Sequence, residues 1–140
     1  MKRVKKVKTN FWISGFLIGI FLLFLLNSLW LVRHISEKQI DDVNFFISCS
    51  NESYYLNKSD VLMVIPIYKN QSIADFASWC KEIKSLNKTL GMHGVYHTYN
   101  EFLEDKNASY LLEGMEIFKE CFGFYPQEFK PPQLEISENN

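Results

Sequence analysis

One stretch of the chain, Phe11 to Val32, carries no charged side chain and few polar ones. As a helix with a rise of about 1.5 Å per residue, it would be about 33 Å long, enough to cross a hydrocarbon core of about 30 Å. Trp12 and Trp30 lie near its two ends, where indole rings favour the interface between lipid and water. Residues 11–32 are therefore predicted to form a transmembrane helix that contacts membrane lipid.

Two other interpretations of this stretch are a secretory signal peptide and a buried core helix. A signal peptide usually has a shorter apolar segment and a cleavage site between small residues. The residues that follow Ser28, up to Arg33, offer no such site. Length and sequence together favour an uncleaved anchor.

Basic residues are unevenly placed on the two sides of the span. Close to the span, only Arg33 and Lys38 follow it, whereas five basic residues precede it: Lys2, Arg3, Lys5, Lys6 and Lys8. The positive-inside rule then keeps residues 1–10 in the cytoplasm as a basic tail and places the remainder outside. Without those five, 10 basic residues remain against 16 acidic ones, which argues against nucleic acid as a partner. The chain is predicted to be a single-pass protein of the cell membrane.

Two further features bear on export. Five acceptor sequons of the Asn-x-Ser/Thr type all follow the span, at Asn51, Asn57, Asn70, Asn87 and Asn107. The three cysteines lack C-x-x-C spacing, and their odd number allows at most one disulfide within the chain. We interpret the cysteines as packed or singly bridged residues and not as metal ligands: Cys49, Cys80 and Cys121.

The segment after the span begins irregularly and then becomes periodic. Residues 33–58 are interpreted as a stalk or a first strand region. Val61 to Ile67 is an apolar run interrupted by proline, which is typical of a strand buried on both faces. Ser72 can cap a helix over residues 73–86, whose apolar residues recur at steps of three and four. Residues 89–95 are predicted to form the next short strand.

The same alternation continues towards the end of the chain. Ser109 can cap a second helix, and Gly123 supplies its stop signal. Phe129 to Pro132 follows as a rigid extended segment. The order strand, helix, strand, helix, strand predicts an α/β domain with a parallel sheet over residues 59–140.

Two histidines four residues apart, His93 and His97, lie where a predicted strand gives way to a loop. In a fully extended strand they would be about 13 Å apart, but a bend at Gly94 would bring them within about 6 Å. Two imidazoles and one carboxylate can hold a catalytic divalent metal with a coordination position left open. His93 and His97 are therefore candidate metal ligands. The alternative is two unrelated polar residues at a strand-to-loop junction.

Four short segments resemble the successive motifs of the polysaccharide deacetylase-like family: Asp41-Asp42, Val64-Ile65-Pro66, His93-Gly94-Val95-Tyr96-His97 and Phe129-Lys130-Pro131-Pro132. The resemblance implies a partial (β/α) barrel after the transmembrane helix. It also implies that Asp42, His93 and His97 hold a divalent metal ion, usually zinc. Asp41 would be the catalytic base and Lys130 the basic residue that orients it. For the Asp pair, the alternative is a solvated turn.

The implied activity is metal-assisted hydrolysis of N-acetyl amides on surface glycan. Lys130 stands where the family usually has arginine, and a lysine cannot clamp a carboxylate with two parallel bonds. The family's barrel also continues past the proline pair and supplies another histidine, whereas this sequence stops at Asn140. We therefore expect an amino-terminal half that is weakly active alone or is completed by a second chain. The alternative function is a non-catalytic membrane protein that binds glycan or a partner chain.

Overall fold

The computed structural model describes the backbone of residues 4–46 and 49–140, and the side chains of residues 12–46 and 54–140. These residues divide into two units, Met1–Ser36 and Glu37–Asn140. The side chains of the predicted basic tail, of Cys49 and of the sequon at Asn51 lie outside the described residues.

The first unit is one long helix, α1, over Val4–Ile35. Its segment Trp12–Ile35 is long and apolar enough to cross a membrane, by length and composition alone. Two polar groups inside this segment are satisfied by the helix itself. The amide of Asn27 donates to the carbonyl of Leu23 at 2.7 Å, and the hydroxyl of Ser28 donates to the carbonyl of Phe24 at 2.9 Å. Such internal pairing is what a helix in hydrocarbon requires.

The second unit is built on a sheet of four parallel strands, which lie side by side in the order β1 (Gln39–Val43), β2 (Val61–Val64), β5 (Thr89–His93) and β6 (Phe129–Lys130). The predicted α/β class with a parallel sheet is confirmed. This sheet is open, two further strands pair separately as an antiparallel hairpin, and the described strands close no barrel. The elements are β1 Gln39–Val43, α2 Cys49–Lys58, β2 Val61–Val64, β3 Ile67–Tyr68, β4 Gln71–Ser72, α3 Ala77–Ser85, β5 Thr89–His93, α4 Ala108–Phe122 and β6 Phe129–Lys130.

The core lies between the sheet and the helices α3 and α4. Every residue of β2 is buried, as the apolar run predicted. Phe118 and Phe122 of α4 are fully buried against this core. A disulfide joins Cys80 of α3 to Cys121 of α4, so the two helices are also linked covalently.

The helix predicted over residues 73–86 is interrupted. A 3₁₀ turn, Ile73–Asp75, is capped by the hydroxyl of Ser72, and α3 begins only at Ala77. Ile73 is fully buried and donates its N–H to the carbonyl of Pro66 at 2.9 Å. Phe76, with φ of −112° and ψ of 62°, leaves the helical region and separates this turn from α3, although the apolar spacing continues across the break.

The predicted cap of the following helix is wrong by two residues. Asn107, and not Ser109, caps α4, because its side-chain oxygen accepts the N–H of Tyr110 at 3.0 Å. The hydroxyl of Ser109 donates instead to Asn107. At the other end Gly123 adopts the left-handed conformation, with φ of 84°, and stops the helix as predicted.

Candidate metal centre

The strand β1 is irregular where the predicted Asp pair lies. Asp41 and Asp42 together oppose the single residue Met63, because Ile40 pairs with Leu62 and Val43 with Val64. Asp42 has φ of 61°, in the left-handed region that aspartate tolerates better than most residues. Successive residues of a regular strand point to opposite faces, and a bulge re-aims one of them. The bulge explains how both carboxylates come to line the same cavity.

The two histidines are brought together by a turn after β5. His93 is the last residue of the strand, and Gly94 and His97 both have positive φ, of 65° and 53°. Nε2 of His93 lies 3.3 Å from Oδ1 of Asp42, and Nε2 of His97 lies 2.8 Å from the same oxygen. The structure therefore brings together the three residues predicted as metal ligands, with their donor atoms within 4.8 Å of one another.

The ring of His93 is held from its other side. Nδ1 lies 3.0 Å from the carbonyl oxygen of Lys130. Because a carbonyl only accepts, Nδ1 carries the proton and donates, which leaves the lone pair of Nε2 directed at Asp42. Two imidazole nitrogens and one carboxylate oxygen that lie this close together suit a divalent cation. The donor set of this site therefore fits a metal ion.

Asp41 forms an ion pair beside these ligands. Nζ of Lys130 lies 2.7 Å from Oδ2 of Asp41, and the side-chain amide of Gln39 donates to Oδ1 at 2.9 Å. Partial burial acts to raise the pKa of Asp41, but the hydrogen bonds from Lys130 and Gln39 and the charge of Lys130 outweigh it. The pKa of Asp41 consequently lies below its ordinary value of 3.8, and the group is a carboxylate at neutral pH.

All five predicted site residues line one open cavity of about 250 Å³, together with Gln133 and Leu134. They come from the carboxyl ends of the parallel strands β1, β5 and β6 and from the loop after β5. A larger cavity of about 380 Å³ is lined by residues such as Phe102 and Ile136. The described residues that line it include no histidine or acidic side chain, so it offers no comparable chemistry.

Sequence reasoning missed Glu101, which supports the loop that carries His97. This residue is buried and accepts hydrogen bonds from backbone amides of that loop. A lone acid in a polar connection looks like an exposed loop residue, so periodicity gave no signal for it. Only its position four residues after His97 indicated that it could contact the loop that carries this histidine.

The fold is similar to that of several solved structures of carbohydrate esterases and deacetylases. The structure is similar to a family 4 acetyl xylan esterase from Clostridium thermocellum in complex with a cobalt ion, with a TM-score of 0.55 and 14% identity. It is also similar to a peptidoglycan N-acetylglucosamine deacetylase, with a TM-score of 0.53 and 19% identity. A third similar structure is a Xyl-CE4 domain of a xylanase from the hindgut metagenome of Trinervitermes trinervoides, with a TM-score of 0.53 and 13% identity.

Each of these matches covers 74% of this chain. The match covers 51% of the acetyl xylan esterase chain, 48% of the deacetylase chain and 53% of the Xyl-CE4 chain. The chain thus spans about half the length of the solved structures that it matches. No protein-family model and no curated protein matches the sequence. At these identities the similarity establishes the fold, and the resemblance inferred from four short motifs is confirmed at that level. The chain contains about half of the α/β fold of the polysaccharide deacetylases and family 4 carbohydrate esterases.

Proposed function

We propose that this chain is a membrane-anchored, metal-dependent hydrolase of the polysaccharide deacetylase type, which removes acetyl groups from the N-acetyl sugars of surface glycan. One observation carries the proposal. Asp42, His93 and His97 converge beside the ion pair of Asp41 and Lys130, at the edge of the sheet where ligands of parallel α/β folds collect.

Asp42, His93 and His97 are the proposed ligands, and zinc is the proposed ion. Two imidazole nitrogens and one carboxylate oxygen form the three-ligand set of many catalytic zinc sites, which keep one position open. The bound cobalt of the similar esterase supports a divalent ion on a fold of this kind. When bound, the metal ion supplies a Lewis acid that polarises an acyl carbonyl and lowers the pKa of water.

Asp41 is the proposed general base. It is ionised at neutral pH, its side chain is 41% exposed, and it lines the cavity. It can therefore accept a proton from a water molecule that attacks the acetyl carbonyl. Lys130 and Gln39 each bond to a different oxygen of this carboxylate, so they orient the base while its exposed edge stays accessible.

The leaving amine also needs a proton. Among the described residues that line the cavity, the two histidines are assigned to the metal and Lys130 is paired with Asp41. We propose that the acid is supplied from beyond the described site, by a longer form of this chain or by a second chain that completes the sheet. A positioned acid typically contributes a factor of about 10² to 10⁴, so hydrolysis of an amide without it should be slow.

Attachment to the membrane by α1 is part of the proposal, with the N-terminus in the cytoplasm and the second unit outside. The apolar segment Trp12–Ile35 and the basic residues before it support this topology. The disulfide between Cys80 and Cys121 supports it independently, because stable disulfides belong to oxidising compartments outside the cytoplasm.

The function can be tested with two acetylated substrates that differ in their leaving group. The full chain in detergent is assayed with zinc or with a chelator, on an aryl acetate whose leaving group needs no acid and on an N-acetylglucosamine oligomer. We expect zinc-dependent hydrolysis of the aryl acetate and slower release of acetate from the oligomer.

The matched control is Asp41→Asn, which keeps the three proposed ligands and removes the base. It should lose both activities while it still binds zinc. A parent chain that binds zinc and glycan without zinc-dependent hydrolysis of either substrate would contradict the proposal and favour a non-catalytic glycan-binding protein.

A further inference from the structure

Glu101 is a buried carboxylate that contacts the loop between the two histidines. Only 2% of the residue is exposed. Its Oε1 accepts hydrogen bonds from the amides of Val95 and Tyr96, each at 2.9 Å. Its Oε2 accepts the amide of His97 at 3.0 Å, and the hydroxyl of Tyr110 donates to Oε1 at 2.6 Å. Three successive backbone N–H groups therefore converge on one carboxylate.

This loop has a backbone conformation that other groups must hold. His97 has φ of 53°, in the left-handed region that a non-glycine residue occupies at a cost in free energy. Gly94 has φ of 65°, and a Cβ atom built there would overlap Oε2 of Glu101 and lie 2.7 Å from Cγ of Pro132. The loop is thus packed directly onto the carboxylate.

We propose that Glu101 is a positioning residue that holds His97 ready to bind the metal ion. The inference rests on the metal site of the proposed function. Glu101 bonds to the backbone of His97, whereas the ring of His97 faces Asp42, so Glu101 acts through the loop and does not itself bind the metal. His93 needs no such support because it belongs to β5 and its ring is held by the carbonyl of Lys130.

The role of Glu101 needs two acceptor oxygens, because donors surround both of them. Burial and the neighbouring Glu101 carboxylate raise the pKa of Tyr110, which therefore stays protonated and donates. With all four surrounding groups acting as donors, a glutamine would turn its own NH₂ group towards at least one of them and leave a buried N–H unpaired. His97 would then lose its fixed position. Loss of an outer partner of a metal ligand commonly weakens metal binding by about 10- to 100-fold.

Calorimetric titration of zinc into the full chain in detergent tests the proposal. Glu101→Gln is compared with Tyr110→Phe, which removes one donor to the same carboxylate but leaves the three loop amides paired. Both variants should melt at a lower temperature than the parent. Only Glu101→Gln should raise the dissociation constant for zinc, by about 10- to 100-fold.

Three outcomes would overturn the inference. Parental zinc affinity in Glu101→Gln would show that Glu101 supports the fold only. Equal weakening in both variants would show that affinity follows stability and not the position of the loop. Absence of zinc binding by the parent would overturn the proposed metal site itself, and this inference with it.

A second measurement uses the parent chain alone and applies if Glu101→Gln does not fold. Amide hydrogen exchange is followed without zinc at Val95, Tyr96 and His97. If Glu101 holds the loop in advance, these three amides exchange as slowly as those of strand β5. Rapid exchange of all three in the folded, zinc-free protein would contradict the proposal.

Discussion

His93 and Lys130 are register partners on the parallel strands β5 and β6, and the carbonyl oxygen of Lys130 lies 3.0 Å from Nδ1 of His93. The side chain of the same lysine bonds to Asp41 at 2.7 Å. One residue therefore orients a proposed metal ligand through its backbone and the proposed base through its side chain. A substitution at Lys130 changes only the second contact, so the two roles can be separated.

Replacement of Lys130 by methionine should lower stability in a way that depends on pH. Because the folded-state pKa of Asp41 is lowered, its contribution is present above the unfolded pKa, near 3.8, and is lost as the pH falls through the folded value. Lys130→Met should therefore cost about 0.2–1 kcal/mol at neutral pH, as expected for a partly exposed ion pair, and nothing in strong acid.

Urea unfolding at several pH values measures this effect, with Lys130→Arg as the control that keeps the charge. The arginine variant should follow the parent at every pH. A difference between Lys130→Met and the parent that stays constant down to strong acid would show that lost packing, and not the ion pair with Asp41, is responsible.

The disulfide between Cys80 and Cys121 should contribute strongly to the stability of the second unit. It closes a loop across a sequence separation of 41 residues, for which the chain-entropy relation gives about 4 kcal/mol. The double variant Cys80→Ala/Cys121→Ala should unfold at correspondingly lower urea concentration.

Thiol labelling of the unfolded parent should detect at most one free cysteine before reduction and three after it. An unchanged unfolding midpoint, or three free thiols before reduction, would contradict this expectation.

Two glycines with positive φ provide a matched pair for testing the loop. Gly123 has φ of 84°, and a Cβ there would make only an ordinary van der Waals contact, with Nζ of Lys84 at 3.4 Å. Gly123→Ala should therefore cost about 1–2 kcal/mol from conformation alone. Gly94→Ala should cost more, because its Cβ also overlaps Glu101 and approaches Pro132. Thermal unfolding of the two variants gives the comparison, and equal losses would contradict close packing at Gly94.

The proposed topology predicts that protease added to intact cells degrades the unit Glu37–Asn140. The uneven basic flanks and the apolar segment Trp12–Ile35 are the reasons for this orientation. An epitope at the C-terminus reports the cleavage, and permeabilised cells serve as the control for protease activity. An epitope protected in intact cells and cleaved only after permeabilisation would reverse the assigned orientation.

Sequence patterns predicted the parts of the fold that depend on burial. The apolar run that became β2 indicated residues that face the core. The break before Ala77 was not predictable, because the apolar spacing continues through Phe76, whose backbone is not helical. The cap of α4 was missed because Asn107 and Ser109 are both good caps and local sequence ranks them poorly.

For the candidate site too, the sequence indicated the residues but not the geometry that brings them together. Residue types and motif resemblance indicated His93, His97 and the Asp pair, because the chain has only three histidines and two of them lie four residues apart. The bulge that turns Asp41 and Asp42 towards one cavity depends on register against β2, which one strand's sequence does not encode. Glu101 was missed for a related reason, because its burial is created by the loop that folds over it.

X-ray absorption spectroscopy of the full chain loaded with one equivalent of zinc tests the proposed site most directly. We predict a first shell of nitrogen and oxygen atoms only, about 2.0–2.2 Å from zinc, with imidazole scattering that decreases in His93→Ala and in His97→Ala. A sulfur shell at about 2.3 Å, or a spectrum unchanged when both histidines are replaced, would show that zinc binds elsewhere and would contradict the assignment of Asp42, His93 and His97.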